Sequence, residues 1–226
     1  TSPPYDNLRT YNGFTWDFEA LAKELYRVTK PGGVVVWNVN DATVNGSETL
    51  TSFRQAIYFK DVCGFNVHDT MIYEKSGFAN PSTTRYHQVF EYVFILSKGK
   101  PKSVNLIRDR ANKYVGIHGG EKSFRDEFGI RFNIFRYANG KNNSTSDVNA
   151  FDHPAIMPEA LANDHIISWS NEGDVVLDPF MGSGTTGKMA LLNNRRFIGV
   201  ELSPEYVEIA KKRIEDAQIL VDSQSK

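Results

Sequence analysis

Cysteine is nearly absent. Cys63 is the single one in 226 residues, so no internal disulfide and no cysteine-rich zinc site can form, no metal site is expected, and the chain reads as a reduced, intracellular protein. No apolar run approaches the roughly 18 residues needed to span a bilayer, and no signal peptide opens the chain, so it reads as soluble and without a membrane partner. Net charge is missing as well: 26 Lys and Arg face 27 Asp and Glu, and the resulting -1 by itself argues against a protein that coats nucleic acid. Internal repeats are absent too. What is there, 40% hydrophobic and 23% charged residues, excludes disorder, collagen and coiled coil and suffices for one large domain or two small ones.

Apolar residues at Phe18, Leu21, Ala22, Leu25 and Tyr26 predict a helix over residues 15 to 29 with Thr15 as N-cap, stopped by Pro31-Gly32-Gly33. The run Val34-Val35-Val36-Trp37-Asn38-Val39 reads as a strand buried on both faces of a parallel sheet. A second helix is expected around residues 49 to 62, then strands near Phe65 to Tyr73 and Val89 to Leu96, paired as an antiparallel edge. Later come a helix near Pro158 to Ser170, a buried strand Val175 to Leu177 ending at Asp178, a glycine-rich turn opening a helix, a strand Arg196 to Val200 and a final helix from 204 to about 221. The pattern is α/β, interrupted once.

The interruption is basic. Residues 98 to 141 hold eleven Lys or Arg and four Asp or Glu, a local +7 that leaves -8 on the remainder. Tyr114, Phe124, Phe128, Phe132, Phe135 and Tyr137 lie among the cations. Such a segment either tracks phosphates and reads base edges or is a solvated excursion whose aromatics pack on the core.

The turn Asp178-Pro179-Phe180-Met181-Gly182-Ser183-Gly184-Thr185-Thr186-Gly187-Lys188-Met189 presents backbone N–H groups at a helix N-terminus. A phosphate-binding P-loop fits Gly182 to Lys188 but fails at Met189, where a hydroxyl should hold magnesium. A dinucleotide fingerprint fits Gly182, Gly184 and Gly187, with Glu201 ending the next strand. S-adenosylmethionine fits the acids better: its ammonium group suits Asp178, which would repel a pyrophosphate, and its ribose diol suits Glu201. The glycines can also be explained by close packing of helix on sheet, which leaves both acidic strand ends unexplained.

At the start, Ser2-Pro3-Pro4-Tyr5 is a stiff turn, because each proline fixes φ and Pro4 restricts Pro3. It can aim the Ser2 hydroxyl and Pro3 carbonyl at the amine of a planar base stacked on Tyr5.

Together, Thr-Ser-Pro-Pro-Tyr at the front, the basic block, and Asp-Pro-Phe-Met-Gly-Ser-Gly-Thr-Thr at the back resemble the β-class amino DNA methyltransferases. His153-Pro154-Ala155 resembles that family's other cofactor-side motif, and Gly199-Val-Glu201 its ribose-binding strand end. The resemblance implies a Rossmann-like S-adenosylmethionine-dependent methyltransferase fold in circularly permuted motif order, with a basic target-recognition insertion. Residues 1–97 would form the catalytic half, 98–150 the insertion and 151–226 the cofactor-binding half. It further implies direct methyl transfer to an exocyclic amine of a base flipped out of double-stranded DNA, through Ser2, Pro3, Pro4 and Tyr5. Asp178, Pro179, Phe180, Gly182, Ser183, Gly184, Thr185, Thr186, Glu201, His153, Pro154 and Ala155 would hold the cofactor. Arg108, Arg110, Lys113, Lys122, Arg125, Arg131, Arg136 and Lys141 would meet DNA.

Ser before Pro-Pro-Tyr and Ala after His-Pro favour cytosine N4, with adenine N6 the alternative and an RNA or protein amide the next. A cytoplasmic, DNA-associated enzyme is implied, with a second copy and a cognate restriction endonuclease as further partners. In the family a strand runs directly into the catalytic turn, so the sequence is expected to be part of a longer chain.

Overall fold

The computed structural model describes residues 1–4, 15–78, 81–116, 126–140, 143–147, 150 and 156–224. In chain order the elements are α1 (Phe18–Val28), β1 (Val34–Val39), β2 (Thr43–Val44), β3 (Ser47–Glu48), α2 (Thr51–Tyr58) running into a π-helical turn (Phe59–Cys63), β4 (Asn66–Lys75) and β5 (Phe90–Ser97). The basic segment adds β6 (Arg108–Ala111), β7 (Phe128–Ile130) and β8 (Ile134–Tyr137), and the chain ends with α3 (Glu159–Trp169), β9 (Val175–Asp178), α4 (Thr185–Leu192), β10 (Arg196–Gly199) and α5 (Pro204–Gln224). Among the described residues no helix is long and apolar enough to cross a membrane.

α1 starts two residues later than its cap was expected. Asp17 takes the place of Thr15, its carboxylate accepting the Ala20 N–H at 3.1 Å, because the capping side chain must sit immediately before the first helical turn. β1 also differs from expectation, since it pairs antiparallel with β5, Val34 opposite Ser97 and Val39 opposite Tyr92. Its other edge meets Thr1 in the parallel sense: the Thr1 backbone nitrogen donates to the Val36 carbonyl and the Asn38 N–H donates to the Thr1 carbonyl, each at 3.0 Å. An apolar run covered on both faces looks the same in either sense, which is why the pattern misassigned it.

β4 and β5 do pair antiparallel, but not at an edge. β8 pairs parallel with β4, and the main sheet runs β1-β5-β4-β8. The basic segment therefore returns a strand to the core, while β6 and β7 form a separate antiparallel ribbon. β9 and β10 form a parallel pair. β9 is less buried than its apolar run predicts: Val175 and Leu177 share an exposed face, while Val176 on the opposite face packs against the cluster formed by α3 and α4.

Alternation along the strands divides the core. Trp37, Val39, Phe94 and Leu96 join Phe59 and Phe65 under α1 and α2, and Val93 and Ile95 face Met71, Tyr73, Phe135, Tyr137 and Leu161 on the α3 side. Arg131 ties the basic segment to α3 by pairing with Asp109 and, at 2.6 Å, with Asp164, which also accepts the Tyr137 hydroxyl at 2.7 Å.

A second ionic knot is buried. The Arg213 guanidinium, fully enclosed, donates to Asp147 at 2.8 Å, Glu159 at 2.9 Å and the Ser183 carbonyl at 2.6 Å. Lys188 donates to the same Glu159 oxygen at 2.8 Å. Burial pushes the Glu159 carboxyl up, but Lys188, Thr145 and Arg213 outweigh it and hold the group below the usual carboxylate range. Replacing Arg213 with Leu leaves buried carboxylates short of a partner and is expected to cost about 3 kcal/mol in urea denaturation, whereas Leu at Arg27, whose pair with Glu24 is exposed, should leave the midpoint nearly unchanged. Equal losses would contradict the assignment.

His165 lies stacked on Phe135 with ring centroids 5.6 Å apart, and neither ring nitrogen has a hydrogen-bond partner among the described residues. Burial lowers its imidazole to about 4. The unfolded chain then binds one proton more than the folded chain between about pH 6.5 and that value, so stability is full above the window and falls as pH drops through it. Between pH 7 and pH 5 the loss should be about 2 kcal/mol smaller in His165→Leu than in the wild type, read from paired urea titrations. An unchanged pH dependence would count against this origin.

Candidate active site

Thr1, at the head of the Ser-Pro-Pro turn, sits between β1 and the end of β9. Its hydroxyl donates to Asp178 Oδ1 at 2.6 Å, so the start of the chain and the glycine-rich turn, 177 residues apart in sequence, share one carboxylate. Asp178 is buried at 3% exposure, and also accepts the Thr186 hydroxyl at 2.6 Å and the Phe180 N–H at 3.0 Å. A carboxylate accepts about four hydrogen bonds, so three are committed to shaping the turn and about one position is left.

Glu201 organises the same turn from β10's far end. Its two oxygens accept the Gly182 and Ser203 N–H groups, each at 2.9 Å. The carboxylate is only half-buried and keeps a second lone pair on each oxygen, which suits a vicinal diol. These residues fit S-adenosylmethionine, offering acceptors for an ammonium group and for a ribose diol.

The glycines divide between two duties. Gly184 has φ +79°, and a Cβ there would meet the Ala210 backbone and side chain at 2.9 Å; a Cβ on Gly187 would meet Phe197 at 2.6 Å. Both permit α5 and β10 to pack closely on α4, the packing explanation the sequence left open. Gly182, with φ +51°, donates its N–H to Glu201 and belongs to the turn itself. Ser183 and Thr185 are buried, their side-chain oxygens accepting Arg213 Nη1 at 3.1 and 3.2 Å, which fixes the turn from behind.

Pro3 is fully buried, and the Pro4 carbonyl accepts the Trp16 indole N–H at 3.0 Å. Trp16 in turn meets Phe180 edge-on at 4.9 Å, a second bridge between the two turns. Ser2 is half-buried and accepts Asn38 Nδ2 at 3.4 Å. Tyr5, His153, Pro154 and Ala155 lie outside the described residues, as do Lys122, Arg125 and Lys141.

The remaining basic candidates do not act alike. Arg108, Arg110 and Lys113 line an open cleft of about 580 Å³ with Tyr114 and Phe128. Arg110 lies over the Phe132 ring at 4.9 Å and Lys113 over Tyr114 at 5.3 Å, the cation–aromatic interleaving the sequence suggested. Arg136 is exposed and pairs with Glu74 at 2.6 Å. Arg131 is engaged with Asp109 and Asp164, so its guanidinium holds the segment to α3 rather than standing ready for a phosphate.

Four site residues escaped the sequence reading. Thr1 and Trp16 look like ordinary loop residues, and Arg213 looks like any cation on an amphipathic helix. Asn38 left a trace, a lone amide inside an apolar strand run.

Comparison with known proteins follows the same outline. The chain matches the DNA methylase family N6_N4_Mtase over residues 1–212. The orphan methyltransferase M.BamHII of Bacillus amyloliquefaciens is 59% identical over 236 residues, covering 97% of this chain and 89% of that protein. The solved structure of PvuII DNA methyltransferase (cytosine-N4-specific) has the same fold, with a TM-score of 0.70 at 24% identity, covering 97% of this chain and 83% of that one. The M1.HpyAVI–SAM complex aligns with a TM-score of 0.62 at 27% identity, covering 94% of this chain and 85% of that one. With its Rossmann-like fold, its acidic strand ends around a glycine-rich turn and a family match along nearly its whole length, the chain belongs to the N4/N6 amino-DNA methyltransferases, enzymes that use S-adenosylmethionine to methylate DNA.

Proposed function

We propose that the enzyme methylates the N4 amine of cytosine in double-stranded DNA, with Ser2 and the Pro3 carbonyl receiving the amine. The observation that carries this reading is the Thr1–Asp178 hydrogen bond, which fastens the Ser-Pro-Pro turn to the strand end from which the cofactor-binding turn departs. Ser at the head of the turn favours cytosine N4 over adenine N6.

An amine inside a duplex is paired and stacked, so the target base is flipped out before it reaches Ser2. Neither Pro3 nor Pro4 has an N–H, so the turn offers carbonyl acceptors with no competing backbone donors. The Ser2 oxygen and the Pro3 carbonyl accept the two amine hydrogens, holding the nitrogen in place with its lone pair turned out of the ring plane. Tyr5 supplies a face for the base. S-adenosylmethionine, held by Asp178, Glu201 and the turn from Pro179 to Thr186, supplies the methyl group; His153, Pro154 and Ala155 complete its site. No cysteine nucleophile takes part: Cys63 packs on the aromatic core, and burial pushes its thiol up, away from the thiolate. Residues 98–150 recognise the target through the cleft of Arg108, Arg110 and Lys113.

Two experiments check this. Nucleosides from DNA methylated in vitro should contain N4-methylcytosine by mass spectrometry, and N6-methyladenine alone would refute the choice of base. Alanine at Arg108, Arg110 and Lys113 together should weaken DNA binding and flatten its salt dependence by up to about three in slope, with S-adenosylmethionine affinity kept. An unaltered salt slope would remove the cleft from the DNA interface.

A further inference from the structure

Asn38 places an amide inside the apolar run of β1, where it is only 5% exposed. Its Nδ2 donates to Glu91 Oε2 at 2.7 Å and reaches Ser2 Oγ at 3.4 Å. The other Glu91 oxygen accepts Lys75 Nζ at 3.3 Å, and both of these side chains are largely buried. An ionised carboxylate only accepts hydrogen bonds, so the amide nitrogen must face Glu91; the reversed amide would set oxygen against oxygen. The chain Lys75, Glu91, Asn38 thus dictates which way the amide points.

Its oxygen is left over. Asn38 Oδ1 is buried and has no hydrogen-bond partner among the described residues, an arrangement that costs stability unless a ligand supplies the donor. The two ends of one amide are about 2.2 Å apart, so Oδ1 lies within about 6 Å of Ser2 Oγ and one small donor group can bond to both.

We propose that Asn38 is a specificity-determining residue of the target-base site: its Oδ1 shares with Ser2 Oγ, in a three-centre bond, the amine hydrogen directed at Ser2, while its Nδ2 steadies Ser2, and Glu91 with Lys75 locks the amide in that orientation. This rests on reading the Ser-Pro-Pro turn as the receiver of the amine. A fixed acceptor here favours bases that carry an amine over those that carry a carbonyl at the same position, because two facing acceptors repel and neither is satisfied.

The test is single-turnover methylation of unmethylated plasmid DNA at saturating DNA, with S-adenosylmethionine affinity and thermal melting measured on the same variants. Asn38→Leu should lower the rate by at least roughly tenfold, with cofactor affinity within about twofold of wild type. Glu91→Gln, isosteric and able to accept as well as donate, releases the amide orientation and should slow the reaction by roughly threefold or more, which decides the matter if Asn38→Leu does not fold. Asn38→Asp sets two carboxylates together and should be slow. Adding Glu91→Gln to it restores a donor–acceptor pair with an oxygen still free, and the rate should recover. A Leu variant within twofold of wild type, a double variant no faster than Asn38→Asp, or a loss traced wholly to cofactor affinity would overturn the proposal. Wild-type protein that methylates no base amine would overturn the Ser2 reading beneath it, whereas an active wild type matched by Asn38→Leu overturns the Asn38 inference alone.

Discussion

Much of the site depends on how one buried carboxylate is satisfied. Asp178 ends β9 at 3% exposure, where an ionised group without partners would be strongly unfavourable. Two hydroxyls and a backbone N–H meet it, and each comes from a different piece of the site: Thr1 from the Ser-Pro-Pro turn, Thr186 from the first turn of α4, Phe180 from the loop between. Solvation of the charge and assembly of the site are therefore the same event. The Trp16 indole, bonded to the Pro4 carbonyl and packed edge-on against Phe180, adds an apolar bridge beside the polar one.

The rest of the molecule holds these turns rigid from behind. Arg213 grips the Ser183 carbonyl and the Ser183 and Thr185 hydroxyls, and its charge is balanced by Asp147 and Glu159. Asp147 follows the basic segment in sequence, so the same guanidinium links the chain leaving that segment to the cofactor turn. Burying these ionic groups costs desolvation, which the hydrogen bonds that Arg213, Asp147 and Glu159 make with one another and with the turn offset.

Charge is segregated along the chain, and the fold preserves that segregation. The +7 of residues 98 to 141 is spent unequally. Arg131 and Arg136 pair closely with acids of α3, the β6–β7 ribbon and β4, while Arg108, Arg110 and Lys113 line a cleft with Tyr114 and Phe128, Arg108 meeting Asp126 there only in a long, exposed pair at 3.9 Å. Because β8 closes the main sheet beside β4, the cleft is joined to the core that carries Ser2 and Asn38 rather than tethered by a loop.

The sequence alone determined the α/β class, the acidic ends of β9 and β10, the stiff Ser-Pro-Pro turn and the family, because each is a local pattern: an apolar run of strand length, an acid at its end, two prolines in succession. Proline stiffness and glycine freedom act within a few residues and can be read directly. Tertiary structure alone decided the antiparallel partner of β1, the return of β8 to the main sheet, and the roles of Thr1, Asn38, Arg131 and Arg213. Those choices depend on which distant group completes a hydrogen bond or neutralises a charge. Thr1 meets Asp178 across 177 residues, and Arg213 meets Asp147 across 66, separations at which no local pattern carries the partner's identity.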